Sequence, residues 1–258
     1  MPDSPSNFSS GRRRRNNRRP TNGPHGLSFG LGGQAGLDLN DLAQLAGSTD
    51  PVPITCFDYS PDRVEVNTIT DVSAFLQQHR PDWVRVRWIN IDGLTNIAVI
   101  KAFAEKYALH PLAVEDVLHV PQRPKVDTYA AAPGSDHGRI FIVARMLKME
   151  SDWLEGEQIS SWRGPDTVIS FQERADGDLF EPLRTRLKAK GSRVRDNDAS
   201  FLMYSMIDAI VDHCFPLLET FSDKLEDLEN QVLAHPSQAT IAQVHVLPRA
   251  LLNIRRAA

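Results

Sequence analysis

Apolar and polar positions change period several times along this chain, and the changes divide it into short strands, short helices and one long helix. Residues 54–59 and 63–67 are rich in β-branched and aromatic side chains. Ser60, Pro61 and Asp62 form a turn signal between them, so the pair predicts a hairpin. In residues 83–91, Val84, Val86 and Trp88 alternate with Arg85 and Arg87, which is the two-residue period of a strand, and Asp92-Gly93 closes it. Ile97, Ile100, Phe103, Ala104 and Tyr107 then recur at helical spacing. Strand character returns over 139–147, 158–162 and 167–171, and 179–190 reads as a helix stopped by Gly191. Strands and helices interleaved in this order predict a layered α/β domain on a mixed sheet.

A different pattern begins near Ala199. Tyr204, Ile207, Val211, Cys214, Leu218, Phe221, Leu225, Leu228 and Val232 recur at spacings of three and four, a coiled-coil-like seam on one long helix. Pro216 removes one backbone hydrogen bond from that helix and is expected to kink it or mark a register change. His235-Pro236-Ser237 reads as a turn into another helix, with Ile241, Val244, Leu247, Leu251 and Ile254 on one side. That helix reaches Ala257-Ala258 without a Gly, Asn or Pro to end it, so the sequence is expected to break off mid-helix, the alternative being a naturally frayed C-terminus. At the other end, residues 1–36 hold only Phe8, Leu27, Phe29 and Leu31 as large apolar groups and are expected to be disordered. The domain plan is therefore a tail over 1–50, an α/β domain over 51–198 and long helices over 199–258.

Charge changes the picture of partners. Of the 29 Lys and Arg and 33 Asp and Glu, residues 1–36 hold six Arg and one Asp, which leaves the rest of the chain with an excess of nine acids. An acidic body favours cations or basic partners and argues against a nucleic-acid role. Arg12 to Arg15, Arg18 and Arg19 are either a solvated arm or a contact for anionic lipid or RNA. Cys56 and Cys214 stand outside any CxxC or Cys/His cluster, so neither a disulfide framework nor a zinc knuckle is predicted, and a reducing cytosol fits. No apolar leader and no run of 18 uncharged apolar residues is present, so this stretch is expected to be soluble.

Two groups of acids are candidates for cation chemistry. Residues 110–118 read as a short helix with His110 near the N-cap and Pro111 at the first helical position. Glu115 and Asp116 fall in its last turn, where negative charge opposes the helix dipole and needs a positive partner. That partner is either a bound metal or Arg123 or Lys125. On the long helix Asp208 and Asp212 share a face four residues apart, and Glu219, Glu226 and Glu229 continue the acidic stripe. Such a stripe is either a solvated face or a set of oxygen ligands for a hard divalent ion, which needs only one or two carboxylates because it keeps several waters. Gly30 to Gly36 lacks the Lys-Ser/Thr of a phosphate loop, and no GxSxG nucleophile motif occurs, so no enzyme is predicted.

The string HPLAVEDVLHVPQRPKVDTY at 110–129 resembles the signature of the CorA family of divalent-cation channels. EQISSWRGPDTVISFQE at 157–173, FLMYSMIDAIVDHCFPLLE at 201–219 and LPRALLNIRR at 247–256 resemble further family segments in the same order. The resemblance covers residues 54–258. It implies an α/β/α sandwich with long coiled-coil-like helices, on the cytoplasmic side of the inner membrane, in a homopentamer whose two membrane spans and Gly-Met-Asn pore signature lie beyond residue 258. It implies, too, that magnesium bound between neighbouring subunits holds the channel closed, with cobalt or zinc as other ions. Glu115 and Asp116 match the family's acidic pair at that interface, Asp208 matches the acid of the YS.ID stretch, and Asp212 is a nearby candidate. A further carboxylate would follow residue 258. The alternatives are the zinc-transporting ZntB branch and a soluble acidic scaffold without transport; carboxylates without His or Cys clustering favour magnesium over zinc.

Overall fold

The computed structural model describes residues 50–131, 138–150, 153–174 and 179–234, with isolated positions between Ser237 and Arg255. The Arg-rich segment expected to be disordered, and His235 and Pro236 of the expected turn, lie outside the described residues.

The hairpin read from the sequence is β1 (Ile54–Tyr59) and β2 (Val64–Thr68), paired antiparallel. Its turn is closed by the Ser60 amide donating to the Arg63 carbonyl at 2.8 Å. Helix α1 (Val72–Gln77) follows, then β3 (Val86–Asp92), α2 (Ile97–Lys106), α3 (Pro111–Leu118) and β4 (Lys125–Tyr129). The chain continues through β5 (Arg139–Glu150), β6 (Trp153–Arg163), β7 (Thr167–Gln172), α4 (Glu181–Lys188), α5 (Arg193–Asp196) and α6 (Ala199–Ala234). The seven strands form one sheet in the order β2-β1-β3-β7-β6-β5-β4. Among the described residues only the β3–β7 pair is parallel, so the sheet is mixed. Gly93, at φ +120° after β3, takes the backbone conformation that a side chain at that turn would resist.

Helices cover both faces of the sheet. On one face α2 and α3 bury Ile97, Ile100, Phe103, Val114 and Val117 against Ile89, Ile91, Phe141 and Trp162. On the other, α4 and the first half of α6 bury Leu183, Leu187, Leu202, Met206 and Ile210 against Phe57, Trp88 and Val168. This is the α/β/α sandwich. The β5–β6 hairpin runs past the sheet, where its Leu147 and Leu154 pack with Phe221, Leu225, Leu247 and Ile254. Positions such as Gln238, Leu247, Leu251 and Ile254 are helical, as the apolar spacing there predicts.

Two features differ from the sequence reading. An alternating strand ordinarily turns its polar side chains to water, yet Arg87 is buried: its guanidinium meets the Asp58 carboxylate in two bonds of 2.7 Å each. The reason is that helices close both faces of the central strands, so β3 has no solvent side. The long helix does not carry a single seam either. Leu202, Met203, Met206 and Ile210 face the sheet, whereas Tyr204 and Val211 of the expected seam are exposed with Phe215. Pro216 sits inside α6, which stays helical across it. By length and composition α6 is also long and apolar enough to cross a membrane, but its sheet-facing side chains are core.

Candidate metal-binding surfaces

Helix α3 begins as its sequence dictates. The His110 Nδ1 accepts the Leu112 amide at 3.2 Å as N-cap, Pro111 opens the helix, and the His110 ring stacks on Tyr129 at 4.5 Å between centroids. Ala113, Val114, Val117 and Leu118 are buried against the sheet. That fixes the opposite side of the last turn, where Glu115 and Asp116 are half-buried, toward the protein surface.

The positive partner that Asp116 needs is Lys125 on β4. Its Nζ lies 2.5 Å from Asp116 Oδ2 and 3.1 Å from Asp127 Oδ2. Partial burial raises the Asp116 carboxyl above its ordinary range; Lys125 opposes the rise, and Asp127 and Glu115 add to it. The Asp116 backbone is held from behind. The fully buried Gln158 of β6 donates Nε2 to the Asp116 carbonyl at 2.9 Å and accepts the Gln122 amide on Oε1 at 2.7 Å. One carboxamide thus pins both ends of the segment between α3 and β4, which contains the cis Val120–Pro121 peptide. Sequence reasoning named Lys125 among the possible partners but missed Asp127 and Gln158. A polar residue on the face of β6 where Trp162 is core was the one available signal.

Asp208 and Asp212 occupy α6. Asp208 is half-buried and receives the Tyr204 hydroxyl at 3.4 Å, and Asp212 is exposed one turn further on. Glu219, Glu226 and Glu229 are exposed as well. Since α3 packs on one face of the sheet and α6 on the other, the two acidic pairs stand on opposite layers of the domain. The structure does not bring them together within one chain. Accordingly, among the described residues no group of three or more His, Cys, Asp or Glu is placed to hold a metal ion. Cys56 and Cys214 are both free thiols.

The described residues thus form a three-layer domain with a long helix on one face and separate carboxylate pairs on opposite layers. Residues 84–258 match the family described as CorA-like Mg2+ transporter protein, and the chain belongs to that family, one of ion transporters rather than enzymes. It is similar to the cobalt/magnesium transport protein CorA of Thermotoga maritima, at 33% identity over 228 residues, 88% of this chain and 62% of that protein. It is also similar to the putative metal ion transporter YfjQ of Bacillus subtilis, at 29% identity over 66% of this chain and 49% of that protein. The chain thus spans half to three-fifths of the length of these relatives. In fold it is similar to the soluble domain of CorA from Methanocaldococcus jannaschii, with a TM-score of 0.59 at 16% identity, over 79% of this chain and 74% of that one. The ZntB cytoplasmic domain from Vibrio parahaemolyticus gives a TM-score of 0.53 at 15% identity, over 80% and 74%.

Proposed function

We propose that this chain is the cytoplasmic, metal-sensing part of a divalent-cation channel, with magnesium as the ion sensed and Glu115, Asp116, Asp208 and Asp212 as its ligands across a subunit interface. The observation that carries the reading is the placement of the two acidic pairs on opposite layers of one domain. A ring of copies, a homopentamer as in the family, sets α3 of one copy against α6 of the next, and only then do Asp116 and Asp208 meet. The exposed Tyr204, Val211 and Phe215 flank Asp208 on α6 and supply apolar surface for the same contact.

The mechanism is electrostatic. Carboxylates from two copies repel, and a hard cation between them reverses the sign of the contact, so metal favours the closed ring and its loss loosens it. A ligand shifts such an equilibrium only by its differential affinity for the two states. At a hundredfold excess over its dissociation constant, magnesium is expected to add about 2.7 kcal/mol to the assembled state. Melting and sedimentation of this chain in a magnesium series test this. Both the melting temperature and the oligomer fraction should rise, and Asp116→Ala and Asp208→Ala should each blunt the rise. Melting and sedimentation unchanged to tens of millimolar would remove the sensing role. Zinc binding without a magnesium response would shift the reading to a zinc transporter.

A further inference from the structure

We propose that Lys125 is a tethered counter-ion that competes with the divalent cation for Asp116 and withdraws onto Asp127 when the cation binds. The inference rests on the reading of Asp116 as a metal ligand and concerns what sets the sensitivity of that site. Lys125 Nζ stands 2.5 Å from Asp116 Oδ2 and 3.1 Å from Asp127 Oδ2, the place a cation bridging two carboxylates would take. An ammonium and a divalent ion on one carboxylate repel at contact distance, so the two occupancies exclude each other.

The partners are unequal in mobility, and that decides which one moves. Asp116 is fixed by the buried face of α3 and by Gln158, which grips its carbonyl and the Gln122 amide; its side chain is 13% exposed. Lys125 extends a flexible four-carbon stem from β4, the edge strand of the sheet, and its side chain is 36% exposed. Asp127 lies two residues along the same strand, on the same side. Leaving Asp116 therefore costs Lys125 one of two contacts rather than its only one. The lysine satisfies Asp116 when metal is scarce, and it also sets the concentration at which metal displaces it. Asp127 tunes that threshold by offering the lysine somewhere else to rest.

The test uses magnesium chloride as the probe and the midpoint of the magnesium-induced rise in melting temperature as the readout. Lys125→Met should lower the midpoint about two- to five-fold, the range of a partly exposed ion pair, and Asp127→Asn should raise it. Lys101→Met removes the same charge from α2, where Lys101 pairs with Glu105, and should leave the midpoint in place, which separates competition from a general field. Acylation of Lys125 by acetic anhydride, read by mass spectrometry, should speed up over the same magnesium range as the amine is released. If Asp116→Ala abolishes the magnesium response while Lys125→Met leaves the midpoint and the acylation rate of wild-type Lys125 is insensitive to magnesium, the site stands and the competition is refuted. Absence of any magnesium response in both wild type and Lys125→Met would overturn site and competition together. A response seen in Lys125→Met but not in wild type would support the competition in its strongest form.

Discussion

Replacing Asp58 with Ala is expected to destabilise the domain by about 3–5 kcal/mol, the cost of leaving a buried charge without its partner. Asp58 and Arg87 face each other across the β1–β3 pair and are both buried. The network continues around them. The Cys56 thiol donates to Asp58 Oδ1 at 3.6 Å, and the Phe75 ring lies 5.2 Å from Arg87 Cζ. With the carboxylate gone, none of these groups can neutralise the guanidinium. Removing both charges in Asp58→Leu with Arg87→Met should recover most of the loss, because an apolar pair of similar volume does not strand a charge. Urea unfolding measures both quantities. A loss under about 1 kcal/mol in Asp58→Ala would show that water reaches the pair and that the central strands are less enclosed than described.

The second large effect is a pH dependence centred on Glu157. This residue of β6 is buried, its Oε1 accepts the Arg174 amide at 3.1 Å, and its Oε2 has no hydrogen-bond partner among the described residues. Burial pushes its carboxyl up to about 7, against the pull of the Arg174 amide and Lys148 and with a further push from Glu173. Because the folded value lies above the unfolded one, the native state binds more protons between about pH 4.5 and pH 7, and stability falls as pH rises through that window. Above it the penalty is constant, on the order of 3 kcal/mol. Glu157→Gln keeps the acceptor for Arg174 and cannot ionise. It is expected to exceed wild type by about that amount at pH 8 and to match it near pH 4.5. An unchanged difference between the two proteins from pH 4.5 to pH 8 would exclude Glu157 as the titrating group.

Most of the sheet was readable from local signals, and the failures share a cause. Strands with a turn on either side, such as β1, β2 and β7, fell within a residue of their observed positions. Helix α1 spans six residues, too few for a helical period to show, and is held by the Asp71 side chain accepting the Ala74 amide at 2.9 Å. Strand β4 is an edge strand with Lys125 and Asp127 on one side and an exposed Val126 on the other, so it lacks the apolar alternation that marks a strand. On α6, apolar residues cover more than one helical face, and spacing cannot say which stripe meets the sheet and which is left open.

The candidate site divides the same way. Its acids, the N-cap at His110 and the choice of Lys125 or Arg123 as a partner were all legible in sequence. That α3 and α6 lie on opposite layers was not, because it follows from the order in which strands enter the sheet. Neither was the role of Gln158, whose bond to the Asp116 carbonyl spans 42 positions of chain.

The parallel pairing of β3 with β7 has a consequence for how the domain is born. Its partners are distant in sequence, as the bond between Trp88 and Ser170 across 82 positions shows, whereas the hairpins on either side close locally. Local contacts form quickly and distant ones wait for the loop between them to be ordered. A nascent chain leaving the ribosome can therefore complete two half-sheets, but the seam joining them must wait for β7, leaving the inner edge of β3 uncovered throughout translation of the segment between.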